Sequence, residues 1–549
     1  MPAITPPEVH HNPADSVLPL SFVLERSGFF SRRFAEPLAI IPVCAHLQRA
    51  PKPSKWLRMK SQEQPTHLES STIRPIPVDA RHGTAGDLFT VWFGSNLMLL
   101  TIVTGALAVS VFALPFWWAI IALVVGNMTG AVFMALHAAQ GPTLGVPQMV
   151  QTRGQFGSLG SLLVVGIVVV MYLGFMASNL VLGGEAIASL APQLSLTPGI
   201  ALVCVLSAVA ASFGYDLIHA YARVMSYVAG TVLLLAGAWI AWVHGLPADL
   251  LQRNIVTFRG FMGTVSAAAL WQIAYAPYVS DYTRYMPQKT GARSAFWATY
   301  WGCTLGSVLP MVLGATVALA APNMSLVAGL TALTHGIAPL VLIVFSVGIA
   351  TANALNLYCG ALSVLSVGQT LIPRWSPGAR ARTTATLALL AISLAGALLA
   401  QNAFLAKYLE FILLLLYVLA PWTAINLVDY YLLRHGRYDV PSFFRRDGGI
   451  YGRVNGIAIV CYLIGILVQL PFVASTLYTG AVAHSWGGVD VSWIVGLLVT
   501  APAYYWLAWR SHAHSRSVSA RRANQLHRCE RRCDPQEPRT RKCDQEATH

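Results

Sequence analysis

The stretch from Leu340 to Gln369 reads LVLIVFSVGIATANALNLYCGALSVLSVGQ. It is long enough to cross a bilayer, which takes about 20 apolar residues, yet hydroxyls and amides lie in its middle. At about 100° per residue, Asn353 and Asn356 share one face of the helix and Thr351 lies on another. Amides are costly in lipid unless they have partners. The pattern therefore predicts an inner membrane helix that lines a wet, substrate-sized cavity.

The composition places the chain in a membrane. Of its 549 residues, 55% are hydrophobic and only 11% are charged, whereas soluble domains contain about 25% charged residues. The formal net charge of +14 comes from basic residues in loops and tails, which argues against a nucleic-acid-binding face. The eight cysteines show neither a disulfide framework nor a zinc spacing. We therefore expect an all-α integral protein of the cell membrane whose partner is the lipid bilayer.

Three regions are expected along the chain. Residues 1–80 are rich in proline and mixed charges, which is typical of a disordered cytoplasmic extension, and we expect the membrane domain to need nothing before Met59. Residues 81–510 form that domain, and residues 511–549 form a disordered cytoplasmic tail. About twelve transmembrane helices, called spans 1 to 12, are predicted at residues 87–112, 114–138, 158–188, 198–219, 223–244, 260–280, 294–320, 337–368, 383–400, 405–433, 454–478 and 491–509.

The distribution of lysine and arginine predicts the orientation of the spans, because cytoplasmic loops carry an excess of both. With the N-terminus inside, the outer loops hold only Arg253, Arg259 and Lys407. The inner loops hold Arg153, Arg223, Arg284, Lys289, Arg293, Arg374, Arg380, Arg382, Arg434, Arg437, Arg445, Arg446 and Arg453. An even number of spans then places both termini in the cytoplasm.

Two spans carry residues that interrupt helices. Gly94, Ser95 and Asn96 fall within span 1, and glycine and asparagine both disfavour helix. Pro277 falls near the end of span 6, where it removes a backbone hydrogen bond. Interrupted helices five spans apart are typical of transporters built from an inverted repeat. We therefore predict an inverted five-plus-five repeat transporter fold with broken helices 1 and 6.

Spans 3 and 6 carry candidate binding side chains. Phe175 and Asn179 are four residues apart in span 3 and so share a helix face. Trp271 and Gln272 precede the proline of span 6. An aromatic ring beside a carboxamide suits a flat heterocycle, which stacks on the ring and hydrogen-bonds the amide through its edge.

Each of these features also has a purely structural explanation. Asparagine side chains tie membrane helices together for about 1 kcal/mol or less, and glycine and proline are common in membrane helices. The pairs Asp281 with Arg284 and Asp429 with Arg434 stand at the inner ends of spans 6 and 10. For both pairs we favour interfacial pairing or snorkelling towards the headgroups.

Five longer motifs resemble the nucleobase:cation symporter family of the first type, and most closely its purine-cytosine permease branch. They occur in the expected order between Pro77 and Arg510. The motifs are PVDARHGTAGDLFTVWFGSN, ALHAAQGPTLGVPQMVQTRGQFG, FGYDLIHAYARV, APYVSDYTRYMP and PWTAINLVDYYLLRHGRYDV.

The resemblance implies a substrate held between aromatic residues of spans 3 and 6 and hydrogen-bonded from spans 1, 3 and 8. Carried onto this chain, the implied substrate-binding residues are Ser95, Asn96, Phe175, Asn179, Trp271, Gln272, Asn353 and Asn356. For the tryptophan of span 6, the match can slip by one residue to Gln272. Of the family's sodium site, Thr351 matches well, whereas Ala350 stands where a second hydroxyl can occur. Proton coupling therefore stays open beside sodium coupling.

The sequence thus predicts a secondary transporter that imports a cytosine-like or purine-like base together with H⁺ or Na⁺, without another cofactor. A hydantoin, allantoin or a vitamin ring such as thiamine or pyridoxine is the alternative substrate class. Neither a cluster of residues with metal-ligand spacing nor a Walker motif supports an enzyme or a primary pump. A sensor that does not transport is the remote alternative, since no soluble output domain supports it.

Overall fold

A computed structural model describes residues 73–212, 215–245, 255–289, 291–372 and 374–511. These residues belong to one compact unit of the chain, His67–His549. The predictions of disorder for residues 1–72 and 512–549 lie outside the described residues. Residues 73–80, which the sequence assigned to the extension, pack on the domain, because Ile73 and Ile76 are buried. The ordered domain therefore begins before residue 81.

All twelve predicted spans contain helix, as the all-α fold class requires. In chain order, their helices are Ala85–Ser95 with Leu99–Ser110, Phe116–Ala138, Ser161–Leu190, Leu196–Ser212, Tyr215–Val243, Phe258–Ile273 with Val279–Thr283, Gly291–Ala320, Ala338–Leu371, Ala379–Ala400, Phe404–Leu427 and Gly456–Leu467, followed by residues 492–511. Shorter helices between them are Gly141–Leu144, Gln148–Phe156, Leu326–Thr334 and Ala481–Ser485.

Seven of the described helices are long and apolar enough to cross a membrane, and the bent pair that forms span 1 brings the number to eight. Spans 4 and 11 are shorter apolar helices, Leu196–Ala211 and Gly456–Phe472. The predicted ends of these two spans were wrong. Span 4 ends at Ser212 rather than at residue 219, and the α-helix of span 11 ends at Leu467 rather than at residue 478.

Both predicted breaks are present. Span 1 bends by 60° between its two halves, where Asn96 caps the first half and Met98 is extended, with φ −146° and ψ 164°. Span 6 stops at Ile273 and resumes at Val279, so that Pro277 lies in the gap. The freed backbone groups of both breaks face protein, which is the condition for unwound backbone at membrane depth.

Glycines let spans 1, 2, 6 and 7 pack with their backbones close together. A Cβ at Gly105 of span 1 would overlap the backbone of Met311 in span 7, and a Cβ at Gly314 of span 7 would overlap the carbonyl of Ile102. Gly130 of span 2 meets span 6 in the same way. Spans 3, 4, 8 and 9 pack on one another as a second group. The broken spans therefore belong to a tightly packed group that faces span 8.

Candidate functional site

A cavity with an empty volume of about 370 Å³ lies between spans 1, 3, 6 and 8. Two helix breaks and two continuous helices form its walls, which is the arrangement that the sequence predicted. Its lining residues are Ser95, Met98, Phe175, Asn179, Trp271, Ala274, Tyr275, Tyr278, Ala352, Leu355 and Asn356.

Four of the eleven residues that line the cavity are aromatic. The ring of Phe175 meets that of Trp271 edge to face, with centroids 6.0 Å apart and planes at 85°. Tyr275 and Tyr278 add two further rings, whose centroids are 5.4 Å apart. Aromatic faces offer a flat ring a large contact area at a low cost in side-chain entropy. The cavity therefore suits a planar ligand.

Asn96 holds the tryptophan of span 6 in place. Its Oδ1 accepts hydrogen bonds from Trp271 Nε1 at 2.7 Å, from Tyr275 OH at 3.1 Å and from Ser307 Oγ at 3.1 Å. Its Nδ2 donates to the carbonyl oxygen of Trp92 at 2.6 Å. Asn96 is fully buried and lies outside the cavity lining. In this conformation it positions aromatic side chains instead of facing a ligand.

The structure also decides which of two neighbouring residues faces the cavity. Trp271 lines it, whereas Gln272 points towards spans 2 and 7. There, Gln272 Nε2 donates to Asn127 Oδ1 at 2.7 Å and to Ser307 Oγ at 3.1 Å. The implied binding role of Gln272 therefore finds no support in this geometry.

Spans 3 and 8 carry three amides near the cavity, and two of them are hydrogen-bonded to each other. Asn179 Nδ2 donates to Asn353 Oδ1 at 2.9 Å, and Asn353 Nδ2 donates to Ser207 Oγ of span 4 at 3.0 Å. Asn353 thus lies behind the cavity wall. Asn179 Oδ1 is buried without a hydrogen-bond partner among the described residues. Asn179, which carries this unpaired acceptor, and Asn356, which carries a second amide, both line the cavity and are the amide candidates for binding a ligand.

Ser95 and Thr351, the two hydroxyl residues among the predicted binding residues, have different surroundings. Ser95 lines the cavity, and its Oγ donates to the carbonyl oxygen of Trp92 at 3.3 Å. Thr351 Oγ1 donates to the carbonyl oxygen of Val347 at 3.3 Å, and Thr351 lines a separate apolar groove between spans 3, 4, 5 and 8. Spans 1 and 8 meet at Gly348, where a Cβ would overlap the Leu97 carbonyl oxygen. The proposed sodium ligand is therefore about one turn from this junction.

The sequence comparisons agree with this geometry. A family model described as permease for cytosine/purines, uracil, thiamine and allantoin matches residues 75–496. The chain belongs to this permease family. It is 38% identical over 458 residues to the putative purine-cytosine permease YxlA of Bacillus subtilis, which covers 80% of this chain and 95% of that relative. It is also 22% identical over 475 residues to the purine-cytosine permease fcyB of Emericella nidulans, covering 82% and 90% of the two chains.

Solved structures confirm the fold of the permease. Mhp1, a nucleobase-cation-symport-1 family transporter solved in a closed conformation with bromovinylhydantoin bound, superposes with a TM-score of 0.64 at 18% identity. The match covers 81% of this chain and 96% of Mhp1. The predicted family, the transporter fold class and the expectation that the chain is not an enzyme are all confirmed.

An aromatic cluster closes the permease cavity on the side predicted to be cytoplasmic. Trp92 of span 1 meets Tyr275 and Tyr282 of span 6 edge to face, with centroids 5.5 and 5.6 Å apart. Tyr172 of span 3 meets Tyr278 at 5.3 Å. On the opposite side, Phe411 of span 10 packs on Phe175 at 5.3 Å. Aromatic contacts thus cover the cavity on both sides.

Sequence reasoning missed several lining residues of the permease. Tyr275 and Tyr278 lie in the gap between the two halves of span 6, where helical periodicity does not predict which way a side chain points. Met98, Ala274, Ala352 and Leu355 carry no distinctive chemistry.

The charged residues at the inner ends of spans 6 and 10 are largely surrounded by protein. Arg284 is fully buried, and Asp281 accepts a hydrogen bond from the backbone amide of Gln148 at 2.9 Å. Asp429 is also fully buried and accepts a hydrogen bond from Arg434 Nε at 2.9 Å. Asp429 and Arg434 therefore pair as expected, whereas burial in protein contradicts the expected snorkelling, since helix-end position alone does not show how much protein surrounds a charge.

Proposed function

We propose that this permease is a secondary active transporter that imports a cytosine-like or purine-like base by symport with a cation. The observation that supports this function most strongly is that Asn179 lines the cavity together with four aromatic residues, while its buried Oδ1 has no hydrogen-bond partner among the described residues. An orphaned buried acceptor is costly, and a donor on the edge of a base would remove that cost.

In the proposed complex, the base lies between Phe175 and Trp271 and turns its edge towards spans 3 and 8. Asn179 Oδ1 accepts from a ring N–H or an exocyclic amine. Asn356 has both a donor and an acceptor, so it can pair with a carbonyl or an imine nitrogen. Asn353 sets the direction of the Asn179 amide through their 2.9 Å hydrogen bond. Buried partners of this kind reject analogues that lack the matching group.

Transport then proceeds by alternating access. Displacement of Phe411 from Phe175 would open the cavity on the predicted outer side. Separation of Trp92 from the tyrosines of span 6 would open it on the inner side. Because spans 1, 2, 6 and 7 interlock, we expect them to move together against the spans that carry Asn179 and Asn356.

The coupling cation is proposed to be H⁺ or Na⁺. The Thr351 hydroxyl already donates to Val347, and Ala350 adds no hydroxyl beside it; both features favour H⁺ over a sodium site at this position. Uptake measured at fixed pH with and without Na⁺, and then across pH without Na⁺, separates the two cations.

A hydantoin-like or allantoin-like ring is the second candidate substrate class. The family description includes allantoin and thiamine, and Mhp1 was solved with bromovinylhydantoin bound. These rings and the bases share planarity and amide-like edges, so the lining side chains accept both in principle.

The deciding experiment is uptake into cells or proteoliposomes of radiolabelled cytosine, adenine, uracil, allantoin and hydantoin, each competed with the others and with thiamine and pyridoxine. Concentrative uptake of a base that collapses with ionophores is the expected result. Uptake of allantoin or hydantoin alone would move the assignment to the second class. Binding without uptake would support the sensor instead.

A separate experiment tests the proposal that the protein lies in the cell membrane with both termini in the cytoplasm. Tags placed at the two ends should be inaccessible to antibodies in intact cells.

A further inference from the structure

A second polar cavity lies on the face predicted to be cytoplasmic. It has an empty volume of about 620 Å³ and shares no residue with the cavity between spans 1, 3, 6 and 8. Its walls come from the link between spans 2 and 3, from the end of span 8 and from the loop between spans 10 and 11. Nothing in the proposed transport cycle uses it.

Arginine dominates the lining. Arg153, Arg445, Arg446 and Arg453 all line the cavity, and its lining contains no aspartate or glutamate among the described residues. Asp447 is nearby and pairs with Arg445 at 2.8 Å, and the hydrogen bond from Arg445 lowers the pKa of Asp447 to about 2. Asp439 is also near enough to interact with the charge of Arg445. Two aspartates against four arginines leave an excess of two positive charges. Ser158 and Thr370 add two hydroxyls to the wall.

Arg153 is the buried member of this arginine group, with 2% of its surface exposed. Its Nη1 donates to Gln369 Oε1 and to the Phe443 carbonyl oxygen, both at 2.8 Å, and its Nη2 donates to Ser366. All of these partners are neutral, and Nε has no partner among the described residues. Burial lowers the pKa of Arg153 to about 10, so the side chain stays charged at neutral pH.

A buried cation without an anion is strongly unfavourable, because its desolvation is not compensated. The described part of the chain pairs no carboxylate with Arg153. A negative group entering the cavity would supply that charge, and the exposed guanidinium groups of Arg446 and Arg453 would meet it at the entrance. Guanidinium forks match phosphate oxygens in geometry and in charge.

We propose that this cavity binds a phosphate-bearing anion, supplied either by the headgroup of an anionic phospholipid in the adjoining leaflet or by a soluble organic phosphate. Basic pockets between helices on the cytoplasmic side are where anionic headgroups lie. Leu159 and Leu371 are exposed at the same cavity, which suits the apolar part of a lipid next to its phosphate. An anion would thus add a charged partner where Arg153 now links the three segments of the cavity wall through neutral groups.

The test compares two double variants of the full-length chain in nanodiscs. Arg446→Gln with Arg453→Gln removes two charges from the cavity. Both side chains are exposed, and the Arg453 contacts to span 3 use its backbone carbonyl, so folding is preserved. Arg380→Gln with Arg437→Gln removes two exposed charges from the same predicted face outside the cavity and serves as the matched control.

Two probes distinguish the sources of the phosphate. The first is phosphatidylglycerol added to phosphatidylcholine nanodiscs, measured by the thermal unfolding midpoint and by retained lipid in native mass spectrometry. The second is AMP titrated into pure phosphatidylcholine nanodiscs, measured by the same midpoint. A ligand that binds only the folded state raises this midpoint. Whichever probe raises the midpoint of the wild-type protein identifies the source.

We expect the cavity variant to weaken binding of the active probe about tenfold or more, since charge-assisted hydrogen bonds are lost, and the control variant to change it less than about twofold. Equal weakening by both variants would show that only diffuse surface charge attracts the probe, and would overturn the proposal. Absence of stabilisation of the wild-type protein by either probe would overturn it as well. Neither readout depends on transport, so this test stands apart from that of the proposed function.

Discussion

A single methyl group at Gly174 tests the outer contact of the cavity. In span 3, a Cβ at Gly174 would lie 3.0 Å from Cδ2 of Phe411 and closer still to Cε2 and Cζ. Gly174→Ala therefore pushes the Phe411 ring away from Phe175, on which it now packs at 5.3 Å. The substitution destabilises the covered conformation, by which we mean the conformation in which Phe411 packs on Phe175 over the cavity.

The size of the effect follows from overpacking alone. Overpacking costs about 1–3 kcal/mol, whereas the preference of a helix for alanine over glycine acts equally on both conformations and cancels. The covered conformation should thus lose about 1–3 kcal/mol, a factor of about 5–150 in its population. Since the covered state holds the ligand, the concentration for half-maximal uptake should rise by a similar factor.

Span 3 offers a matched control for this substitution. A Cβ added at Gly166 would meet no atom within 4 Å, so Gly166→Ala should leave uptake of the same radiolabelled substrate unchanged. Phe411→Leu in the Gly174→Ala background should restore most of the affinity, with a coupling of about 1 kcal/mol between the two sites. Identical uptake curves for the two alanine variants, or additive effects in the double variant, would refute the proposed role of this contact.

Three further predictions concern buried polar groups. Asn356→Ala should raise the half-saturating substrate concentration about tenfold, because it removes a direct hydrogen bond; unchanged uptake of every base in the panel would rule out that contact. Asn353→Ala should weaken uptake about as much without touching the ligand, since Asn179 loses the acceptor 2.9 Å away, and a smaller effect in an Asn179→Ala background checks the coupling. Asp429→Ala should destabilise the fold by about 3–5 kcal/mol, because Arg434 is left without its partner at 2.9 Å; an unchanged thermal unfolding midpoint in detergent would contradict this.

Local chemistry explains which parts of the architecture were predictable. Gly94, Asn96 and Pro277 act on their own backbone, so both helix breaks could be placed within a few residues. The amides of span 8 were predictable as buried groups because lipid does not tolerate them unpaired. These arguments need no knowledge of the partner helices.

Contacts between residues that are far apart in the chain could not be predicted from the sequence. Asn96 was expected to face the ligand, yet its oxygen accepts from Trp271 and Ser307, far along the chain. Which of Trp271 and Gln272 faces the cavity depends on a rotation of about 100° per residue, and a one-residue slip exchanges them. Asp429 shows the same limit, because it accepts a hydrogen bond from the hydroxyl of Tyr504, which belongs to span 12.

The interlocked backbones of spans 1 and 7 have a mechanical consequence. Gly105 and Gly314 leave no room for even one carbon between the two helices, so neither helix can slide or roll on the other. A covalent cross-link between these two helices should therefore leave the rate of transport unchanged. The same cross-link placed between span 1 and a residue of span 8 next to Gly348 should stop transport, because the cavity would then stay closed towards one side of the membrane.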